Sequence, residues 1–449
     1  MLIQRIGCVR IRWLAALLLL AVATGSAAEP SAEGLIIVHA GQLLTVPGEP
    51  PQERQSVYIR DGRITSIRSG FERAEGATVV DLGEAFVLPG LIDLHVHLTT
   101  NPEPGGELDD VTRTGADLAL VAAVNAERLL NAGFTTVLDL GTGRREHEEA
   151  VFALSDAIEA GRVAGPRVLA VGSPLSIPGQ SRTARYRGDI EAVSGPQNVC
   201  SGADACRRTV REQVKRGADV ISFYNTGSLL SVPSVPMTFT EAEMRAIVET
   251  AHALGRPVVA DGGNTAGDAS GINAALRAGV DSVDTVTYAD EETWRLLNKT
   301  GAWFVPHLYA VVAAVGDTPQ TLEQGSMGWL PRPILEFLFA LKQEVPSAVD
   351  ARKAGVRFAF GSDPGVFPHG ENAREFAELV GVGLSPAEAI ATATTGAAAM
   401  LWREAEIGSL EPGKRADLIA VEGNPLEDVR ALERVIWVMK DGRDHGPLR

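Results

Sequence analysis

Between residues 89 and 400, short apolar runs alternate with longer amphipathic stretches. The apolar runs are Leu91–His97, Thr135–Leu140, Arg167–Val171, Val220–Tyr224, Pro257–Asp261, Ser282–Thr285, Trp303–Pro306 and Arg357–Gly361. Helix-period stretches lie between them, at Ala116–Ala132, Cys206–Arg216, Thr240–Leu254 and Ile272–Ala278. Alternation of this kind predicts βα units. Eight such strands predict an α/β fold, a (β/α)8 TIM barrel with loop insertions. The connection from His307 to Lys353 is long and is expected to carry an extra helix around Ile334–Val345.

The two chain ends are patterned differently. Leu35–Val38, Ser56–Ile59, Arg63–Ile67 and Thr78–Val80 are short strand-like runs, and Asp417–Val421 and Arg434–Met439 resemble them at the far end. Asp61-Gly62 and Asp441-Gly442 are hairpin signals, because the tight turn needs positive φ at both central residues. Both ends are read as one small flanking β-sandwich, built from residues 29–88 and 401–449 around a barrel at 89–400.

Residues 1–28 carry a third pattern. Arg5, Arg10 and Arg12 precede apolar Trp13–Ala23, and the small residues Ser26-Ala-Ala28 follow. This order marks a secretory signal peptide, and the apolar run is too short to serve well as a membrane anchor. A periplasmic or secreted protein is expected. The chain is 45% hydrophobic and 22% charged, as globular chains are, and its net charge of −16 argues against nucleic acid or an anionic membrane as partner. Cys8 leaves with the leader. Cys200 and Cys206 remain, and an even pair in an exported chain reads as a disulfide. The sequence leaves open a homo-oligomer.

The densest chemistry lies in Phe86-Val-Leu-Pro-Gly-Leu-Ile-Asp-Leu-His-Val-His-Leu98. Pro89-Gly90 opens an apolar strand that carries His95 and His97. Side chains two apart on a strand share a face, and burying two unpaired imidazoles is costly. With Asp93 one step earlier, they read as a metal corner.

The wording from Leu88 to His97 resembles the start of the barrel in the amidohydrolase superfamily, in particular its imidazolonepropionase-like and dipeptidase-like branch. The resemblance runs almost to the C-terminus and implies six metal ligands at the C-terminal strand ends. His95 and His97 match the first-strand pair, and Asp363 in Gly361-Ser-Asp363 matches the last-strand aspartate, ligand and general base. Pro368-His-Gly370 and Asn372 follow as in the branch, which places His369 near the site. The other positions depart. Ser222 stands where the branch has a carboxylated lysine bridging two metals, and a serine hydroxyl cannot be carboxylated. Asp261 takes the fifth-strand histidine position, as a metal ligand or as a cap or turn residue. Thr285 replaces the sixth-strand histidine, and Ile177–Ser181 stands where a Gly-Gly-His is usual. His307, after the seventh strand, is either a substitute ligand or a core or loop histidine. Tyr224, His307 and His369 are candidate substrate contacts.

Three of the six ligands therefore remain. The chain is expected to hold one divalent metal, zinc or similar, through His95, His97 and Asp363 with or without Asp261, or to hold none. Two functions follow. One is a metal-dependent hydrolase of carbon–nitrogen bonds, acting on dipeptides or cyclic amides. The other is a catalytically inactive protein that keeps the fold to bind a small-molecule or dipeptide-like ligand.

Overall fold

The computed structural model describes residues 34–104, 109–142, 144–180, 198–227, 237–262, 268–285, 288–342 and 346–447. The leader expected at 1–28 lies outside them. The N-terminal part forms β1 (Ile36–Leu43), β2 (Gln52–Arg60), β3 (Arg63–Ser69) and β4 (Thr78–Pro89). Asp61 and Gly62 turn between β2 and β3 with φ of 51° and 75°, as a two-residue hairpin requires. The last five residues of β4, Ala85–Pro89, are all buried. One residue later the chain enters β5 (Leu91–Val96), whose six residues are all buried. The joint, Gly90, has no room for a side chain, since a Cβ there would sit 2.2 Å from Thr135 Oγ1.

β5, β6 (Phe134–Asp139) and β7 (Arg167–Ala170) form a parallel sheet. β8 (Ile221–Tyr224), β9 (Val258–Asp261), β10 (Ser282–Asp284) and β11 (Trp303–Val305) form a second one. Leu175, in the loop after β7, pairs with Phe223 of β8 and donates its N–H to Ser222 O at 2.8 Å. The segment expected to be the eighth strand, Arg357–Gly361, is an isolated bridge at Phe358 instead. Its backbone divides its bonds. Ala359 N–H goes to Phe304 O, Leu94 N–H comes to Phe360 O, and Phe360 N–H turns away to Thr392 O. The ladder breaks on the β5 side, because the Phe360 N–H is taken by Thr392 O and not by a carbonyl of β5.

Helices Gly115–Asn131, Arg145–Glu159, Ala203–Arg216, Glu241–Ala253, Ser270–Ala278 and Glu291–Thr300 intervene between the strands. Three begin with reciprocal caps, Thr114 with Asp117, Thr240 with Glu243 and Asp290 with Thr293, which satisfy N–H groups that the first turn leaves unpaired. The extra helix in the long connection runs Arg332–Lys342. One apolar cluster joins Ile92, Leu138, Leu169, Val220, Val259, Val305 and Ala359, one or more residues from nearly every strand. A larger cluster packs the helices onto the strands' outer side. Among the described residues, no helix is long and apolar enough to cross a membrane.

The C-terminal part returns as β12 (Leu418–Val421), β13 (Val435–Lys440) and β14 (Arg443–Pro447). Asp441 and Gly442 repeat the positive-φ hairpin turn. β12 pairs with β4, so both ends share one seven-stranded mixed sheet in the order β14-β13-β12-β4-β1-β2-β3.

Candidate metal centre

The strand ends bring together groups far apart in sequence. Pairing between β5 and β6 is interrupted between Asp93 and Val96, and His95 and His97 leave β5 there with their Nε2 atoms 3.3 Å apart. Asp363 Oδ1 lies 3.4 Å from His97 Nε2 and 3.8 Å from His95 Nε2. A point equidistant from atoms at these separations lies about 2.0 Å from each, the bond length of zinc to imidazole nitrogen and carboxylate oxygen. Among the described residues, these three donors form the group around that point.

The electronic state of the donors agrees. His95 Nδ1 lies 2.9 Å from Asp284 Oδ2, and with the ring proton on Nδ1 the Nε2 lone pair faces His97 and Asp363. Carboxylates fix the tautomer of metal-bound histidines in this way. Burial holds His95 well below its usual pKa, with nearby His307 and His97 adding to the effect, so the ring is neutral. Asp363 and Asp284 are pushed well up, first by burial and then by Asp261, and burial alone lifts Asp261 to about 7. Three crowded, desolvated carboxylates repel one another, and a divalent cation relieves that cost. The donor set therefore fits one such ion.

The backbone around these groups is turned unusually. Thr285, His307 and Asp363 follow β10, β11 and the Phe358 bridge with φ of 54°, 50° and 62°. Left-handed non-glycine residues are uncommon, and their strain collects at functional sites.

The remaining candidates are placed differently. Asp261 ends β9 opposite Asp284 and Tyr224 on the flanking strands, but it stands outside the three-donor group. Tyr224 is partly exposed at the end of β8. His307 is buried against His95, ring centroids 4.0 Å apart, with Nδ1 3.0 Å from Thr285 Oγ1 and Nε2 3.7 Å from Asp284 Oδ2. It belongs with His95 and Asp284 to a second, adjoining group of donors. His369 is buried beneath the site, its Nε2 bonded to His97 O at 3.2 Å. Ser222 is buried, and its hydroxyl has no hydrogen-bond partner among the described residues. Cys200 and Cys206 form a disulfide with Cα atoms 5.1 Å apart, at the mouth of helix Ala203–Arg216. Ser181 of the loop after β7 lies outside the described residues, and Gln180 of that loop donates to Thr226 O.

Asp93 is not a member of the metal corner that its place in the motif suggested. It is wholly buried, and both its oxygens are taken up by hydrogen bonds to His95, Ser362 and Asn372. Burial pushes it up to about 6 against these bonds, which pull it down. Asp284, one residue before Thr285, stands at no family ligand position and is the partner of His95 Nδ1. Its signal was period-two spacing in Ser282-Val-Asp284, which turns Ser282 Oγ towards Asp284 Oδ1 at 3.2 Å.

Residues 86–444 match the amidohydrolase family model. The chain belongs to the amidohydrolase family. It is 30% identical over 438 residues to ochratoxinase of Aspergillus niger, covering 91% of this chain and 86% of that one. It is 26% identical over 426 residues to imidazolonepropionase of Symbiobacterium thermophilum, covering 86% and 90%. Among solved structures it resembles a Xaa-Pro dipeptidase with methionine in its active site, at 31% identity and TM-score 0.80, covering 92% of this chain and all of that one. A prolidase complexed with N-methylphosphonate-L-proline gives 27% identity and TM-score 0.80, with 92% of this chain covered.

Proposed function

We propose that this amidohydrolase is an exported hydrolase of amide or peptide bonds, with dipeptides or cyclic amides as substrates, and that it works through no more than one divalent metal. The observation that carries this reading is the triangle of His95 Nε2, His97 Nε2 and Asp363 Oδ1. An ion held there supplies Lewis acidity for a carbonyl and acidifies a water. Asp363 accepts a proton from the water that attacks the carbonyl carbon and passes it to the amine as the carbon–nitrogen bond breaks. Asp284 keeps His95 in the tautomer the site needs. His307 and His369 are too buried to meet a substrate and act as supports, which leaves Tyr224 as the candidate contact. Hydrolase relatives, ochratoxinase and the prolidases among them, favour this substrate class.

The same reading closes the two parallel sheets into one eight-stranded barrel, through Leu175 on one side and Phe358–Phe360 on the other. It folds the terminal sheet into the flanking sandwich at 29–88 and 401–449, since β2 and β3 share one core with β12 and β13. A periplasmic or secreted location and self-association remain part of the proposal, without nucleic-acid or membrane partners.

A second reading is favoured by Ser222 and Thr285, which offer no imidazole or carbamate. In it the protein binds a small ligand without turning it over. Elemental analysis and a panel of dipeptides and N-acyl amino acids separate the two. Hydrolysis that His97→Ala abolishes is expected. Protein that holds zinc yet cleaves nothing in the panel would favour binding alone. In that case Ser222→Lys with Asp261→His and Thr285→His tests whether activity returns.

A further inference from the structure

We propose that Asp93 is a positioning residue for the metal donors, setting the distance between the strand that carries His95 and His97 and the turn that carries Asp363. The inference rests on the metal reading above.

The carboxylate of Asp93 reaches both segments. Oδ1 accepts the N–H of His95 and the N–H of Ser362, each at 3.1 Å. Oδ2 accepts the Ser362 hydroxyl and, at 2.8 Å, the Asn372 amide. Its first acceptor thus holds the backbone of a donor residue, and both acceptors hold the residue just before Asp363. Asp363 N–H returns to His95 O at 2.9 Å and completes the link.

Asn372 extends it. Its amide also reaches Ser362 Oγ at 2.9 Å, and its oxygen accepts Gly370 N–H at 3.1 Å. The neighbouring His369 ring bonds His97 O. All three donor residues are therefore tied to one network centred on a group that faces no ligand. A carboxylate placed only to fill a buried polar gap has no need to bind these particular backbones. Small displacements matter here, because metal–ligand bonds tolerate only about 0.2 Å of misplacement.

Cobalt(II) titration of the mature protein, followed by its visible absorption bands, tests the proposal. Asp93→Asn turns one acceptor into a donor facing two donors, Ser362 Oγ and Asn372 Nδ2. It is expected to weaken cobalt binding roughly 10- to 100-fold and to shift the bands. Combining Asp93→Asn with Asn372→Asp exchanges donor and acceptor across the same contact, and is expected to recover most of the affinity and the parent spectrum. Ser362→Ala, which keeps the Ser362 N–H bond, should fall between. Should Asp93→Asn fold too poorly to titrate, the exchanged pair and Ser362→Ala are read in its place. The proposal is overturned if the folded variants lose stability but bind cobalt within twofold of the parent and with its spectrum. If the parent binds no cobalt, the metal reading itself fails, and this inference falls with it.

Discussion

His95 works through both ring nitrogens, one turned to Asp284 and the other to His97 and Asp363. A residue used twice has no tolerant substitution, whereas His97 gives one nitrogen to the site. His97→Ala removes one corner of the triangle, and we expect the purified variant to retain no divalent ion by elemental analysis. The parent should hold no more than one ion per chain. Two ions in the parent would mean that Asp284 and His307 also take one up. Gly361 lies directly under the same rings. A Cβ there would meet Val305 Cγ1 at 2.4 Å, His95 Cβ at 3.0 Å and His307 Nε2 at 3.2 Å. Gly361→Ala should therefore cost about 1–3 kcal/mol in urea unfolding and weaken metal binding as well. An unchanged unfolding midpoint would show that the floor of the site gives way. At this scale spacing paired His95 with His97, the resemblance to the amidohydrolase barrel added Asp363, and the structure sets the three side by side. The partners of Asp284 and Asp93 were not legible, because a carboxylate's partners depend on which distant segments fold over it.

Helix Arg145–Glu159 carries a titrating group in its first turn. His147 is buried and bonded through Nδ1 to Thr99 Oγ1 at 2.6 Å, and burial together with nearby Arg144 lowers its pKa to about 4. The unfolded chain binds the proton near 6.5, so it holds more protons than the native state between these values. Stability must fall as pH drops from 6.5 towards 4, by up to about 3 kcal/mol for this group. The urea midpoint of the parent should decline across that window more steeply than that of His147→Gln, and parallel slopes would contradict the assignment. Strand positions were largely legible because buried parallel strands are apolar on both faces. The failure at Arg357–Gly361 has a local cause, since nothing in that apolar run announces that Phe360 will donate to Thr392. The disulfide from Cys200 to Cys206, in the first turn of helix Ala203–Arg216, closes a short loop. Free-thiol titration of the unfolded, unreduced protein should find none, and Cys200→Ser with Cys206→Ser should cost roughly 2 kcal/mol.

At the scale of the whole molecule, export is the expectation most exposed to test. The exported protein should begin near Glu29, and N-terminal sequencing that reads from Met1 would refute it. The pairing of the chain ends has a consequence for how the molecule is made. Only Gly90 separates β4 from β5, whose far end leads into His95 and His97. Among the described residues, the edge of β4 at Phe86–Pro89 is covered by Leu418–Val421, a segment synthesised long after it. A chain built from its N-terminus carries this apolar edge open until that segment emerges, and open strand edges template aggregation. The join at Phe86–Pro89 is therefore completed only when that segment emerges, whereas β5 itself has β6 beside it much earlier. A chain stopped short of residue 418 would lose the pairing along Phe86–Pro89 together with the terminal strands, so the strand that leads into His95 and His97 would keep one open edge.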